Sequence, residues 1–144
     1  MKNLGTYKMI SSSNPSMQDI AGEELWLFLT EDKLFGVRSQ GPACSFRTTE
    51  VSFTTVNPVT HQRYVTTRSG SVYVFEKTNG PACPDKATLF RRLYTRFERV
   101  YNDAPVQMSR ADAFRAARND HLITMEVFNE AHDLYGDLWN YTGD

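Results

Sequence analysis

The chain has 144 residues and a formal net charge of −1, with 40% hydrophobic and 23% charged residues. This composition excludes a disordered chain, and the length fits one globular domain with its own core. No run approaches the roughly 20 apolar residues of a membrane span, and residues 1–10 lack the apolar segment of a secretory signal. We therefore expect a cytoplasmic protein. Two cysteines, Cys44 and Cys83, are too few for a disulfide framework, and we expect both to be reduced thiols.

The charges are unevenly distributed along the chain. Residues 1–32 hold two basic and five acidic side chains (net −3), residues 33–102 hold 11 and four (net +7), and residues 103–144 hold three and eight (net −5). The positive middle segment favours an anionic partner. The alternative is that an acidic last helix packs near a basic sheet and balances its charge.

The first elements form a lead followed by a hairpin. Residues 1–23 are loosely patterned and predict little order beyond a short edge strand at residues 7–10. From residue 24 the apolar runs at residues 25–29 and 34–37 predict two strands joined by a polar turn. Residues 24–76 are therefore expected to be mainly β.

A three-stranded antiparallel meander is predicted at about residues 49–76. Its strands are rich in Thr, Val, Tyr and Phe, which suit a pleated surface. Asn57-Pro58 favours the first turn, and Ser69-Gly70 supplies a tight second connection because glycine tolerates a positive φ.

Two amphipathic helices are predicted at residues 84–102 and 109–138. Pro84 suits the start of the first helix, and apolar residues then recur at a spacing of three to four. Ser109 and Asp112 match a capping box at the start of the second helix. The two helices would form an αα-hairpin on one face of the sheet, which gives a single α+β domain over residues 1–144.

The sequence lacks the common catalytic and metal-binding motifs. It contains no GxSxG, P-loop, GxGxxG or HExxH pattern. His121 and His132 are eleven residues apart on one helix, or about 16 Å, which is too far to share a metal ion. We predict no catalytic residues, no metal and no cofactor, and hence a protein that is not an enzyme.

Arginines and tyrosines predict a binding site for phosphate. Three arginines of the first helix lie in one row, and two more flank the second strand of the meander. Guanidinium groups bind phosphate oxygens in a bidentate manner, and tyrosine rings stack on bases. The predicted ligand-binding residues are Arg92, Arg96, Arg99, Arg68, Arg63, Tyr73, Tyr64 and Ser71. The alternative is an ordinary solvated arginine face whose tyrosines are half-buried residues of the sheet.

The segment Arg63–Phe75 resembles part of a phage protein family. Its strand, Ser-Gly-Ser turn and tyrosine-bearing strand, followed by two helices with arginines on the first, is similar to the anti-Thoeris sponges, although the likeness covers less than half of the chain. The resemblance implies a small antiparallel sheet with two helices, assembly into oligomers, and binding without cleavage of a cyclic ADP-ribose-type signal. It also implies that Arg92 and Arg96 hold phosphates while a nearby aromatic residue holds the adenine.

Three functions follow as hypotheses. The first is an anti-defence protein that sequesters a cyclic nucleotide, of the cyclic ADP-ribose or cyclic oligonucleotide type, in the host cytoplasm. We expect it to be a homo-oligomer through the C-terminal helices, where Phe128, Tyr135 and Trp139 enlarge the apolar stripe. The second is a phage-type inhibitor of a host nuclease or defence complex, and the third is a nucleic-acid-binding module.

Overall fold

A computed structural model describes residues 1–15, 20–41 and 45–93, together with residues 112, 124, 126, 127, 129 and 130. Within these residues the fold is built mainly from six antiparallel strands. The strands are β1 Lys2–Ser12, β2 Glu24–Thr30, β3 Lys33–Arg38, β4 Ser45–Val56, β5 Gln62–Thr67 and β6 Val72–Lys77.

The six strands follow one another in chain order and close into a barrel, because β6 pairs with β1. The predicted small antiparallel sheet is confirmed, with the hairpin as β2–β3 and the meander as β4–β5–β6. Closure of the sheet was not predicted. It gives every strand a hydrogen-bonded neighbour on both sides, so no strand is left at an edge.

The first strand differs most from the sequence-based expectation. Instead of a loosely ordered lead with a short edge strand at residues 7–10, β1 is 11 residues long and joins the two ends of the sheet. The pairing register of β1 shifts between Asn3 and Gly5 and again between Met9 and Ser11. Each bulge adds one residue and reverses the in–out alternation, which hides the period of two that identifies a strand in a sequence.

The barrel interior is a single hydrophobic cluster to which all six strands contribute. Its buried members on the strands are Tyr7, Met9, Leu25, Leu27, Leu34, Phe46, Val65, Tyr73 and Phe75. The rings of Phe46 and Phe75 stack with their centroids 6.3 Å apart. Alternate residues of each strand point inward, as the period of a pleated strand requires.

A second apolar layer lies outside the barrel on β2 and β3. Trp26 pairs with Val37 and Phe28 with Phe35, and all four side chains are buried although they point away from the interior. Residues 86–93, which form helix α1, contribute the buried side chains of Leu89, Phe90 and Leu93. Phe28 of β2 and Leu89 of α1 line the same small cavity, so α1 lies beside the outer side of β2.

The predicted αα-hairpin is not confirmed. Residues 86–93 are helical, so the first helix begins two residues after Pro84, and Asp85 caps it: the Thr88 N–H donates to the Asp85 carboxylate at 2.7 Å. An aspartate at this position satisfies an N–H group that the helix leaves unpaired, which is why Asp85 and not Pro84 sets the boundary. Residues 94–102 of the predicted first helix and most residues of the predicted second, including Ser109, His121 and His132, lie outside the described residues.

A short part of the C-terminal segment contacts the barrel. The Glu126 carboxylate accepts hydrogen bonds from the Thr30 hydroxyl and from the amino group of Met1, and Lys86 forms an ion pair with Glu130 at 2.7 Å. Val127 is fully buried. In the part of the chain that the structure describes, no helix has the length and apolarity needed to cross a membrane.

Candidate functional site

The structure places the predicted site residues in different parts of the molecule. Arg63 and Arg68 lie at opposite ends of β5, about 16 Å apart at 3.3 Å per residue. Arg68 is exposed in the β5–β6 turn and forms an ion pair with Glu50 at 2.8 Å. Ser71 lies in the same turn, where its N–H donates to the Thr67 hydroxyl at 3.1 Å. These residues do not share a site with Arg63.

The two predicted stacking tyrosines lie on opposite sides of the barrel wall. Tyr73 points inward, is only 3% exposed and stacks on Phe75 with a centroid distance of 6.5 Å. Tyr64 points outward, is half-buried, and its hydroxyl donates to the side-chain oxygen of Gln62 at 3.1 Å. Tyr73 therefore serves the core, and Tyr64 is the one of the two that presents a face to solvent.

Arg92 lies on α1, away from both ends of β5. Its guanidinium donates to the carbonyl oxygen of Gly41 at 2.9 Å. Burial lowers the pKa of the Arg92 guanidinium, and the neighbouring positive charge of Arg38 lowers it further. Arg38 in turn pairs with Glu23 at 3.5 Å. Arg96 and Arg99 lie outside the described residues, so the predicted arginine row is represented here by Arg92 alone.

A different cationic group forms at the end of the barrel where β6 ends, and we call it the cationic mouth: Tyr7, Thr54, Arg63 and Lys77. Tyr7 pairs with Lys77 across β1 and β6, and Arg63 lies on the next strand, opposite Phe75. The Arg63 guanidinium carbon is 5.6 Å and the Lys77 nitrogen 5.3 Å from the centre of the buried Tyr7 ring. Both cations therefore lie within the range of a cation–π interaction with one ring.

Arg63 is held in place by hydroxyl groups. It donates to Thr54 Oγ1 at 3.1 Å and to the Tyr7 hydroxyl oxygen at 3.4 Å. The Tyr7 oxygen accepts this bond, so the Tyr7 hydroxyl proton is not used in it. The arrangement brings two positive charges and one phenol hydroxyl together.

The charges of the cationic mouth are not neutralised within the described residues. Elsewhere Arg38, Arg68 and Lys86 each pair with a glutamate. Among the same described residues, neither Arg63 nor Lys77 has a carboxylate partner. Two adjacent cations without a counter-ion raise the local positive potential, and an anion with several oxygens suits them best.

The mouth also has an apolar margin. Val56 lies directly opposite Arg63 in the pairing of β4 with β5 and is 41% exposed. Val59, in the following loop, is 83% exposed. A ligand that joins an anionic group to a flat, apolar body would contact both parts of this end of the barrel.

Sequence reasoning identified Arg63 but missed Tyr7 and Lys77. Tyr7 was assigned to a short edge strand, and the meander was expected to end at about residue 76, just before Lys77. The alternation of β6 was a usable signal, since Tyr73, Phe75 and Lys77 occupy one face. The contact with Tyr7 required the closure of β1 on β6.

A small cavity of about 140 Å³ lies beside α1, away from the mouth. Its lining includes Phe28, Cys83, Pro84 and Leu89. It is well below the roughly 300 Å³ of a typical ligand pocket, so a nucleotide does not fit. Burial raises the pKa of the Cys83 thiol, which makes it a poor nucleophile at neutral pH. The S–H group donates to the carbonyl oxygen of Asp85 at 3.3 Å.

The described ranges hold no group of three or more His, Cys, Asp or Glu side chains placed to bind a metal ion. The cationic mouth is thus the candidate site, and it offers binding groups for an anion. In comparisons with known proteins, no family model, curated protein or solved structure matches the chain.

Proposed function

We propose that the protein binds a small phosphorylated nucleotide at the cationic mouth and holds it without chemical conversion. The observation that carries this proposal is the pair Arg63 and Lys77, which face one tyrosine ring with no carboxylate partner among the described residues. Arginine and lysine at one site match the oxygens of a phosphate group, and the Tyr7 hydroxyl adds a donor. Sequestration of a cyclic nucleotide signal, in the manner of the phage sponges that Arg63–Phe75 resembles, is the biological role we assign to it.

The apolar margin supports a nucleotide over a simple anion. With its phosphate between Arg63 and Lys77, a ligand would place its base over Val56 and Val59, both of which are exposed. Contacts of this kind tolerate any base, so the margin favours nucleotides as a class.

The test is isothermal titration with cyclic ADP-ribose and cyclic dinucleotides as probes, with AMP as the simple monophosphate. We expect Arg63→Met and Lys77→Met each to weaken binding at least about tenfold, because each removes a charge-assisted hydrogen bond of about 1.5–3 kcal/mol. Arg68→Met is the matched control: it has the same chemistry at the other end of β5 and should leave the affinity unchanged.

A second variant separates the mouth from the site predicted from the sequence. Arg92→Met should retain full affinity if the mouth binds the ligand. Loss of binding in Arg92→Met with retention in Arg63→Met would assign the ligand to α1 and reject the mouth. Absence of heat for all probes at millimolar concentration, with the barrel folded, would reject nucleotide binding altogether.

A further inference from the structure

The outward side of β4, β5, β6 and β1 forms a continuous surface, which we call the outer face. Strand pairing places Phe53 beside Thr66 and Thr66 beside Val72, in one row. The next row joins Thr55, Tyr64 and Val74. Their sequence neighbours Val65, Tyr73 and Phe75 are buried inside the barrel. Because side chains alternate along a strand, both rows therefore point outward.

Three large apolar side chains of the outer face are exposed in the described part of the chain. Phe53 is 55% exposed, Ile10 46% and Val72 40%. On the other side of the same barrel, the outward residues of β2 and β3 are buried. Exposed large hydrophobic side chains on three strands of one sheet face favour an interaction surface.

The closed barrel restricts how a partner can bind. Because β4, β5, β6 and β1 pair with one another across the outer face, the backbone groups of its two central strands, β5 and β6, are already hydrogen-bonded. A partner must therefore pack its side chains against the outer face, as two sheets do in a sandwich.

The charged residues of the outer face indicate which partner it can bind. Lys8 and Glu76 lie directly opposite each other across β1 and β6, and both are exposed. A neighbouring pair of opposite charges is complementary to its own copy, since a two-fold rotation places each lysine against the glutamate of the other chain. The pair has no net charge and gives a polyanion no preference for this surface.

We propose that the outer face binds a second copy of this chain and forms a two-fold symmetric dimer. The sequence-based expectation assigned self-association to the C-terminal helices; the proposal assigns it instead to Phe53, Val72 and Ile10 with the Lys8–Glu76 pair. The cationic mouth lies at the end of the barrel and the outer face on its side. Dimer formation is therefore independent of the ligand proposed above.

Sedimentation equilibrium of the full chain between about 5 and 100 µM tests the proposal. We expect a mass twice the 16.5 kDa of one chain at the upper concentration. Phe53→Ser and Val72→Ser should each weaken dimerisation at least tenfold, because each removes an exposed apolar side chain from the surface. Val59→Ser is the matched control, an exposed valine in a loop outside the face, and it should leave the dimer intact.

Charge reversal provides the second measurement. Lys8→Glu places four carboxylates at the contact and should weaken the dimer at least tenfold, while Lys8→Glu combined with Glu76→Lys should restore it to within about threefold. A wild-type monomer at 100 µM would overturn the proposal. So would a dimer that Phe53→Ser and Val72→Ser leave intact, or a double charge reversal that fails to restore association in a folded protein.

Discussion

Gly36 leaves room for the Phe46 ring inside the barrel. It lies opposite Phe46 in the pairing of β3 with β4, and a Cβ atom at Gly36 would come within 2.2 Å of the Phe46 ring. Phe46 cannot move away freely, because its ring stacks on Phe75. Gly36→Ala should therefore lower the free energy of unfolding by about 1–3 kcal/mol, as overpacking of a core does. Denaturation in urea measures this loss.

A double-mutant cycle shows whether the Phe46 ring is the cause. In a Phe46→Leu background the Gly36→Ala change should cost less by at least about 0.5 kcal/mol, because the smaller side chain relieves the contact. Equal costs in the two backgrounds would contradict this explanation. In the sequence, Gly36 is recognisable only as part of a strand. Phe46, the residue that requires a glycine there, lies ten positions later, and the pairing register of β3 and β4 is what identifies it.

At the level of single elements, the start of α1 depends on the Asp85 carboxylate. The Thr88 backbone N–H donates to this group, and that hydrogen bond is the main reason that its pKa is lowered; the Thr88 side chain and the charge of Arg91 act in the same direction. Asp85→Ala should lower the melting temperature, because the helix loses its cap. Asp85→Asn should retain most of the stabilisation by the cap at neutral pH.

The pH dependence of the Asp85 effect has a definite sign. Since folding lowers the pKa of this carboxyl, its extra stabilisation is complete above the ordinary aspartate pKa and is lost as the pH falls through the folded value. The difference in melting temperature between wild type and Asp85→Asn should shrink from neutral pH to about pH 3. A difference that does not change with pH, or an Asp85→Ala variant as stable as wild type, would contradict the assignment.

The elements whose residue pattern is regular were predictable from the sequence. The elements whose pattern is interrupted were not. The β2–β3 hairpin and the meander follow an alternation or a run of β-branched and aromatic residues, so their existence and order came from the sequence alone. β4 begins at Ser45, earlier than the expected residue 49, and includes a register shift between Val51 and Phe53 that breaks its alternation. The start of α1 was misassigned by two residues because Pro84 was favoured over the adjacent capping aspartate.

At the scale of the molecule, closure of the barrel creates the candidate site. Arg63 was recognised from its charge, but its partners Tyr7 and Lys77 meet only where β1 pairs with β6. Contacts between the two ends of a sheet depend on the number and stagger of all the strands, which no local pattern encodes. The sequence thus identified the cationic character of the middle segment but not the geometry that concentrates it.

Closure also determines how the barrel loses its structure. In an open sheet β1 would be an edge strand, and a destabilising substitution in it would expose mainly the amides of β1. In a closed barrel the same strand completes a circuit of hydrogen bonds around one shared core, in which Met9 is 1% exposed. We therefore expect Met9→Ala to lower the free energy of amide exchange by a similar amount, about 2–5 kcal/mol, for the slowest amides of all six strands.

Hydrogen exchange followed by mass spectrometry resolves this difference strand by strand. Residues 9–12 pair with β6 and not with β2, so their protection in the wild type reports directly on closure. Val59→Ala, a truncation at an exposed loop position, should leave every strand within about 0.5 kcal/mol of the wild type. Faster exchange in β1 alone after Met9→Ala would mean that β1 opens independently of the other strands. The mouth would then depend on a local contact between β1 and β6. Since this contact brings Tyr7 next to Lys77 and Arg63, ligand binding at the mouth would have to slow amide exchange selectively in β1.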